Sequence, residues 1–88
     1  MNKDDLKKSL QSLQDELDKL NGSDETVKQR ITHLIDEVEL QLANPENTDQ
    51  KDSLIEKLQY SIEQFEVEHP RITGIMNRIM MTLSDMGI

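Results

Sequence analysis

The chain predicts an all-α fold, a small bundle of four helices, on three observations. Apolar residues recur at spacings of three and four along most of its length, the repeat of a helix buried on one face. No segment alternates apolar and polar residues over a strand's length. The polar breaks between the apolar runs hold residues that end helices or start them.

The first helix is expected near 3–20. Leu6, Leu10, Leu13, Leu17 and Leu20 are spaced 4, 3, 4, 3, a heptad seam of leucine. The break Asn21-Gly22-Ser23-Asp24 follows, with Gly22 suited to close one helix and Ser23 or Asp24 to cap the next. The second helix is expected near 24–42. Val27, Ile31, Leu34 and Val38 repeat the seam, with Ile35 widening it and Leu42 one turn on. So short a connection makes these two helices an antiparallel αα-hairpin.

Asn44-Pro45-Glu46-Asn47-Thr48 is the next break, and Thr48 or Asp52 is expected to cap a third helix near 49–68. Its stripe is Leu54, Leu58, Ile62 and Phe65, with Ile55 beside it. His69-Pro70 then turns the chain. Proline inside a helix removes an amide and clashes with the preceding turn, yet it is well placed at the first position of a new helix. A corner is therefore expected, with Phe65 as its buried plug against Ile72 or Met76. The fourth helix, near 71–85, carries the broadest stripe, Ile72, Ile75, Met76, Ile79, Met80, Leu83 and Met86, and Gly87 is placed to end it. Such a stripe fits a central core helix first and an interaction surface second. The candidate core and interface set is Leu6, Leu10, Leu13, Leu17, Leu20, Ile31, Leu34, Val38, Leu58, Ile62, Phe65, Ile72, Met76, Ile79 and Leu83, in one domain over 1–88.

Composition narrows the function. Ten basic against eighteen acidic side chains give a net charge of −8, the wrong sign for a general nucleic-acid binder. The charge is uneven: residues 1–69 hold eight basic and seventeen acidic side chains, and residues 70–88 hold two arginines against one aspartate. With one tyrosine, one phenylalanine and no tryptophan, stacking on bases or flat cofactors is poorly supplied, and no cofactor is expected. Absence of cysteine excludes disulfides, a thiol nucleophile and thiolate zinc sites. No apolar run has the length of a signal peptide or a membrane span, so a cytoplasmic address with no membrane partner is expected.

The stretch Phe65-Glu66-Val67-Glu68-His69-Pro70-Arg71-Ile72-Thr73, then Met76-Asn77-Arg78-Ile79-Met80 and the closing Leu83-Ser84-Asp85-Met86-Gly87-Ile88, resembles a family of short bacterial proteins known as domain of unknown function 4404. The resemblance spans the chain and is most specific over 65–88. It implies a bacterial origin and a small helical fold, and it implies no activity.

Three constellations carry possible chemistry. Glu66 and His69 have the i, i+3 spacing by which metal-binding bundles aim a carboxylate and an imidazole inward. Such a site also needs glutamates from two other helices, for which Glu37 and Glu63 are the candidates. A histidine at a helix end more often meets the last carbonyls. His33 and Glu37, one turn apart, could form a base and its orienting carboxylate, but no nucleophile or anion loop accompanies them, and a solvated pair is the plainer reading. The acidic clusters Asp15-Glu16-x-Asp18 and Asp36-Glu37-x-Glu39 lie within helices and lack the glycine turn of a calcium loop.

The expected function is therefore a non-catalytic interaction protein, a homodimer joined through its apolar stripes, and not an enzyme. The alternatives are a metal-binding bundle using Glu66 and His69, and an acidic decoy for a basic, nucleic-acid-binding partner.

Overall fold

The computed structural model describes residues 2–20 and 24–86, and they form four helices, with no strand among them. These are α1 (Asn2–Asp18), α2 (Glu25–Ala43), α3 (Thr48–Phe65) and α4 (Pro70–Met86). Each helix lies antiparallel to the next, and α4 returns to lie antiparallel to α1. Helices α1, α2, α3 and α4 thus ring a single core, and the diagonal pairs α1/α3 and α2/α4 do not approach.

The core is the set of stripes read from the sequence. Leu6, Leu10, Leu13 and Leu17 come from α1, and Ile31, Leu34, Ile35 and Val38 from α2. Leu54 and Leu58 come from α3, and Ile72, Met76, Ile79 and Leu83 from α4. Leu20, Ile62 and Phe65 are partly buried against it. The fourth helix is thus a core helix, packed closely on both α1 and α3, whereas the α1–α2 seam is the thinnest of the four. The first two helices are neighbours in sequence, but each packs more closely on another partner.

Each break has its own chemistry. Asp18 ends α1 two residues before the expected 20, and Leu20 follows in a turn closed by its amide on the Leu17 carbonyl at 3.1 Å. The caps assigned to Gly22, Ser23 and Gly87, and the side chain of Met86, lie outside the described residues. Asp24 stands at the N-cap of α2, but its side chain makes no cap hydrogen bond. The amide of Asn44 bonds the Leu40 and Gln41 carbonyls at the end of α2, and its carbonyl accepts from the Asn47 amide at 3.1 Å. This closes a four-residue turn with Pro45 in its second place, where a fixed φ is favourable. The cap of α3 is Asn47 rather than Thr48 or Asp52, because its Oδ1 accepts from the Gln50 amide at 3.1 Å.

The corner is real, and longer than expected, spanning 66–69: α3 stops at Phe65, not 68. His69 serves both helices. Its amide donates to the Phe65 carbonyl at 2.8 Å, and its carbonyl accepts the Thr73 amide at 3.0 Å and the Thr73 hydroxyl at 3.2 Å. Pro70 has no amide to leave unpaired and opens α4. Phe65 is only half-buried, since it ends its helix and has packing on one side alone; the full plug expected of it is not formed.

Replacing Leu13, 1% exposed, by aspartate buries an unpaired carboxylate, and a loss of several kcal/mol is expected in urea unfolding. Gly74 lies exposed within α4, and a Cβ added there meets nothing within 4 Å. Gly74→Ala is therefore expected to raise stability by about 0.5–1 kcal/mol, seen as a higher urea midpoint with an unchanged slope.

Candidate functional site in the groove between the second and third helices

A groove of about 760 Å³ lies where α2 and α3 run side by side. Its walls come from Thr26, Gln29, Arg30, His33, Leu34 and Glu37 of α2, and from Ser53, Glu56, Lys57, Tyr60 and Ser61 of α3. This is within the size range of small-molecule sites.

The groove has two ends of different character. At one end Lys57 donates from Nζ to Glu37 Oε1 at 2.9 Å, tying the two helices across the groove. His33 approaches the other oxygen of the same carboxylate, Nε2 to Oε2 at 3.3 Å, although the geometry is not that of a hydrogen bond. At the other end the Arg30 guanidinium stands 6.0 Å from the centre of the Tyr60 ring, within range of a cation–π contact. Among the described residues Arg30 has no carboxylate within ion-pair distance. Beneath lies Ser61, 1% exposed, whose hydroxyl has no hydrogen-bond partner.

The sequence pairs His33 with Glu37 as a solvated couple, and the structure keeps the pair but exposes its members unequally. The imidazole is solvated, its side chain 74% exposed, but the carboxylate is 18% exposed and held from α3. Lys57 is twenty residues away, and helical spacing alone could not bring it there. Ser61 was legible. Counting 100° per residue from Leu54, Ser61 lies about 20° from the centre of the buried face and Ile62 about 80°. The 4, 4 step of the apolar pattern drifts off that centre, so serine is buried and isoleucine only in part.

The other candidates disperse. Glu66 is exposed in the turn after α3, and the His69 imidazole faces α2, its Nε2 3.7 Å from Asp24 Oδ1. The backbone amide of His69, not its imidazole, meets the end of α3, which corrects the capping role assigned to the side chain. Glu37 is engaged by Lys57, and Glu63 is exposed on α3. Among the described residues no three histidine or carboxylate side chains are grouped to hold a metal. Among the described residues no helix is long and apolar enough to cross a membrane.

Fold and site together define a small antiparallel four-helix bundle with a mixed-charge groove between its middle helices. The chain belongs to the family described as Domain of unknown function (DUF4404), whose sequence profile matches residues 6–88. No curated protein and no solved structure matches it.

The Glu37–Lys57 bridge is half in solvent, so it is expected to contribute modestly. A double-mutant cycle with alanine at both positions should give a coupling of about 0.2–1 kcal/mol, falling as salt is added.

Proposed function

We propose that this protein acts by binding rather than by catalysis, as a helical interaction module whose working face is the α2–α3 groove. The observation that carries this reading is the division of the surface. The apolar stripes that make the chain sticky in sequence are turned into its own core, and a groove edged by charged and polar side chains over an apolar lining is left between α2 and α3. The His33–Glu37 pair does not favour a catalytic reading, since Lys57 neutralises the carboxylate and the only buried hydroxyl of the groove wall belongs to Ser61.

Self-association carries over from the sequence as part of this proposal, with its site changed. The accessible surface is 5661 Å² for a chain of 10.2 kDa, against about 5300 Å² for an ordinary folded monomer of that mass. The monomer hides its surface about as well as a self-sufficient one, so leucine stripes are no longer the reason for a dimer. A second copy would meet the first across α2 and α3, and a foreign partner would use the same face. The bacterial origin and cytoplasmic address implied by resemblance and composition belong to this same reading.

Two measurements check it. Light scattering at micromolar concentration should give about twice the monomer mass, returning to the monomer in Tyr60→Glu. A tagged chain should capture partners that are lost in Tyr60→Glu and kept in Met81→Glu, whose site is exposed on α4 outside the groove. Equal masses and equal capture for wild type and both variants would remove the groove as the binding face.

A further inference from the structure

We infer that the Arg30 end of the α2–α3 groove is a carboxylate-binding site, with the apolar body attached to that carboxylate lying against Tyr60. The inference rests on the groove's being the binding face and adds the chemistry of what it receives.

The lining of this end holds several donors. Thr26, Arg30, Tyr60 and Ser61 present N–H or O–H groups, whereas Gln29 already donates from Nε2 to Glu25 Oε2 at 3.3 Å. Of the groove's carboxylates, Glu37 is already held by Lys57 at 2.9 Å, and Glu56 stands one turn before Tyr60 on α3. Arg30, in contrast, has no carboxylate within 4.0 Å among the described residues. Its guanidinium stands 6.0 Å from the centre of the Tyr60 ring, a contact that leaves its N–H donors unoccupied. A planar fork of N–H groups matches the two oxygens of a carboxylate.

The second observation is Ser61. A hydroxyl in a residue 1% exposed, with no partner, leaves a buried donor unmatched, which is unfavourable unless something completes it. It lines the same groove as the free guanidinium. Both features call for an acceptor, and a carboxylate supplies two oxygens. The body of such a ligand has an apolar surface to lie on, since Tyr60 is 59% exposed and Leu34 forms the floor beside it.

The net charge of −8 opposes any anion at long range. At physiological salt the Debye length is about 8 Å, so distant carboxylates are screened while donors in contact are not. The local groups therefore decide.

Benzoate serves as the probe, titrated into the isotope-labelled full chain and followed by amide resonances, with benzamide as its uncharged counterpart. Saturable shifts confined to Arg30, Tyr60, Ser61 and their neighbours are expected for benzoate and not for benzamide. Arg30→Gln should weaken binding by about tenfold or more, the size expected for a charge-assisted pair. Ser61→Ala removes a buried hydroxyl that has no partner, so its melting temperature should hold or rise while it binds benzoate several-fold more weakly. Absence of saturation, equal response to benzamide, or unchanged affinity in both variants would overturn the site. Light scattering with benzoate present separates the sources of the natural carboxylate. A dimer that dissociates assigns it to a second copy, and binding without a change of mass assigns it to a free acid. If benzoate binds as expected but groove variants leave partner capture intact, the site stands and the docking face falls. Capture lost in Tyr60→Glu with no benzoate response gives the reverse.

Discussion

The seam between the first helix and the last is the contact on which the rest of the bundle depends. Leu6, Leu10, Leu13 and Leu17 on α1 meet the stripe of Ile72, Met76, Ile79 and Leu83 on α4, and most of these side chains are excluded from water. Burying side chains of this size contributes about 1.5–3 kcal/mol each before the entropy of ordering is counted. Because the two helices lie at opposite ends of the sequence, their meeting closes the ring. With α4 on α1, the corner at His69-Pro70 keeps α3 beside α4, and α2 completes the core.

The α1–α2 seam is the thinnest, so closeness of packing does not by itself place the groove between α2 and α3; the side chains of that seam do. The fourth helix packs closely on two neighbours, and its stripe is broad enough to serve both. The second helix faces the less intimate seams on both sides, α1 on one and α3 on the other. Between α2 and α3 the contact is bridged by long polar side chains rather than filled by apolar ones, with Lys57 reaching Glu37 and Arg30 reaching over Tyr60. A seam built this way holds its helices apart and leaves a concavity lined by donors and charges.

The corner at His69 shows how one residue can serve three elements. Its amide closes α3, its carbonyl opens α4, and its imidazole stands at the start of α2 beside Asp24. The three roles need different atoms and do not compete. Glu66, three residues earlier, points into none of this and is exposed, so the spacing that resembles a metal motif is here a by-product of a helix ending.

The sequence by itself determined the helical class, the number of helices, and the core, because a 3.6-residue period writes each buried face into local spacing. It also determined the corner, since proline cannot continue a helix, as well as the family. It left three kinds of feature to the tertiary structure. Which helices pack most closely depends on the fit of whole stripes, so the sequence neighbours α1 and α2 came out as the thinnest seam. The cap at Asn47 was decided by which side chain reached a free amide, where Thr48 and Asp52 were equally eligible by composition. The groove was decided by pairs twenty and thirty residues apart, Glu37 with Lys57 and Arg30 with Tyr60, which no local pattern relates. Ser61 stands between the two cases: its angular position was written in the period, but its lack of a hydrogen-bond partner arises only when α3 is laid against its neighbours.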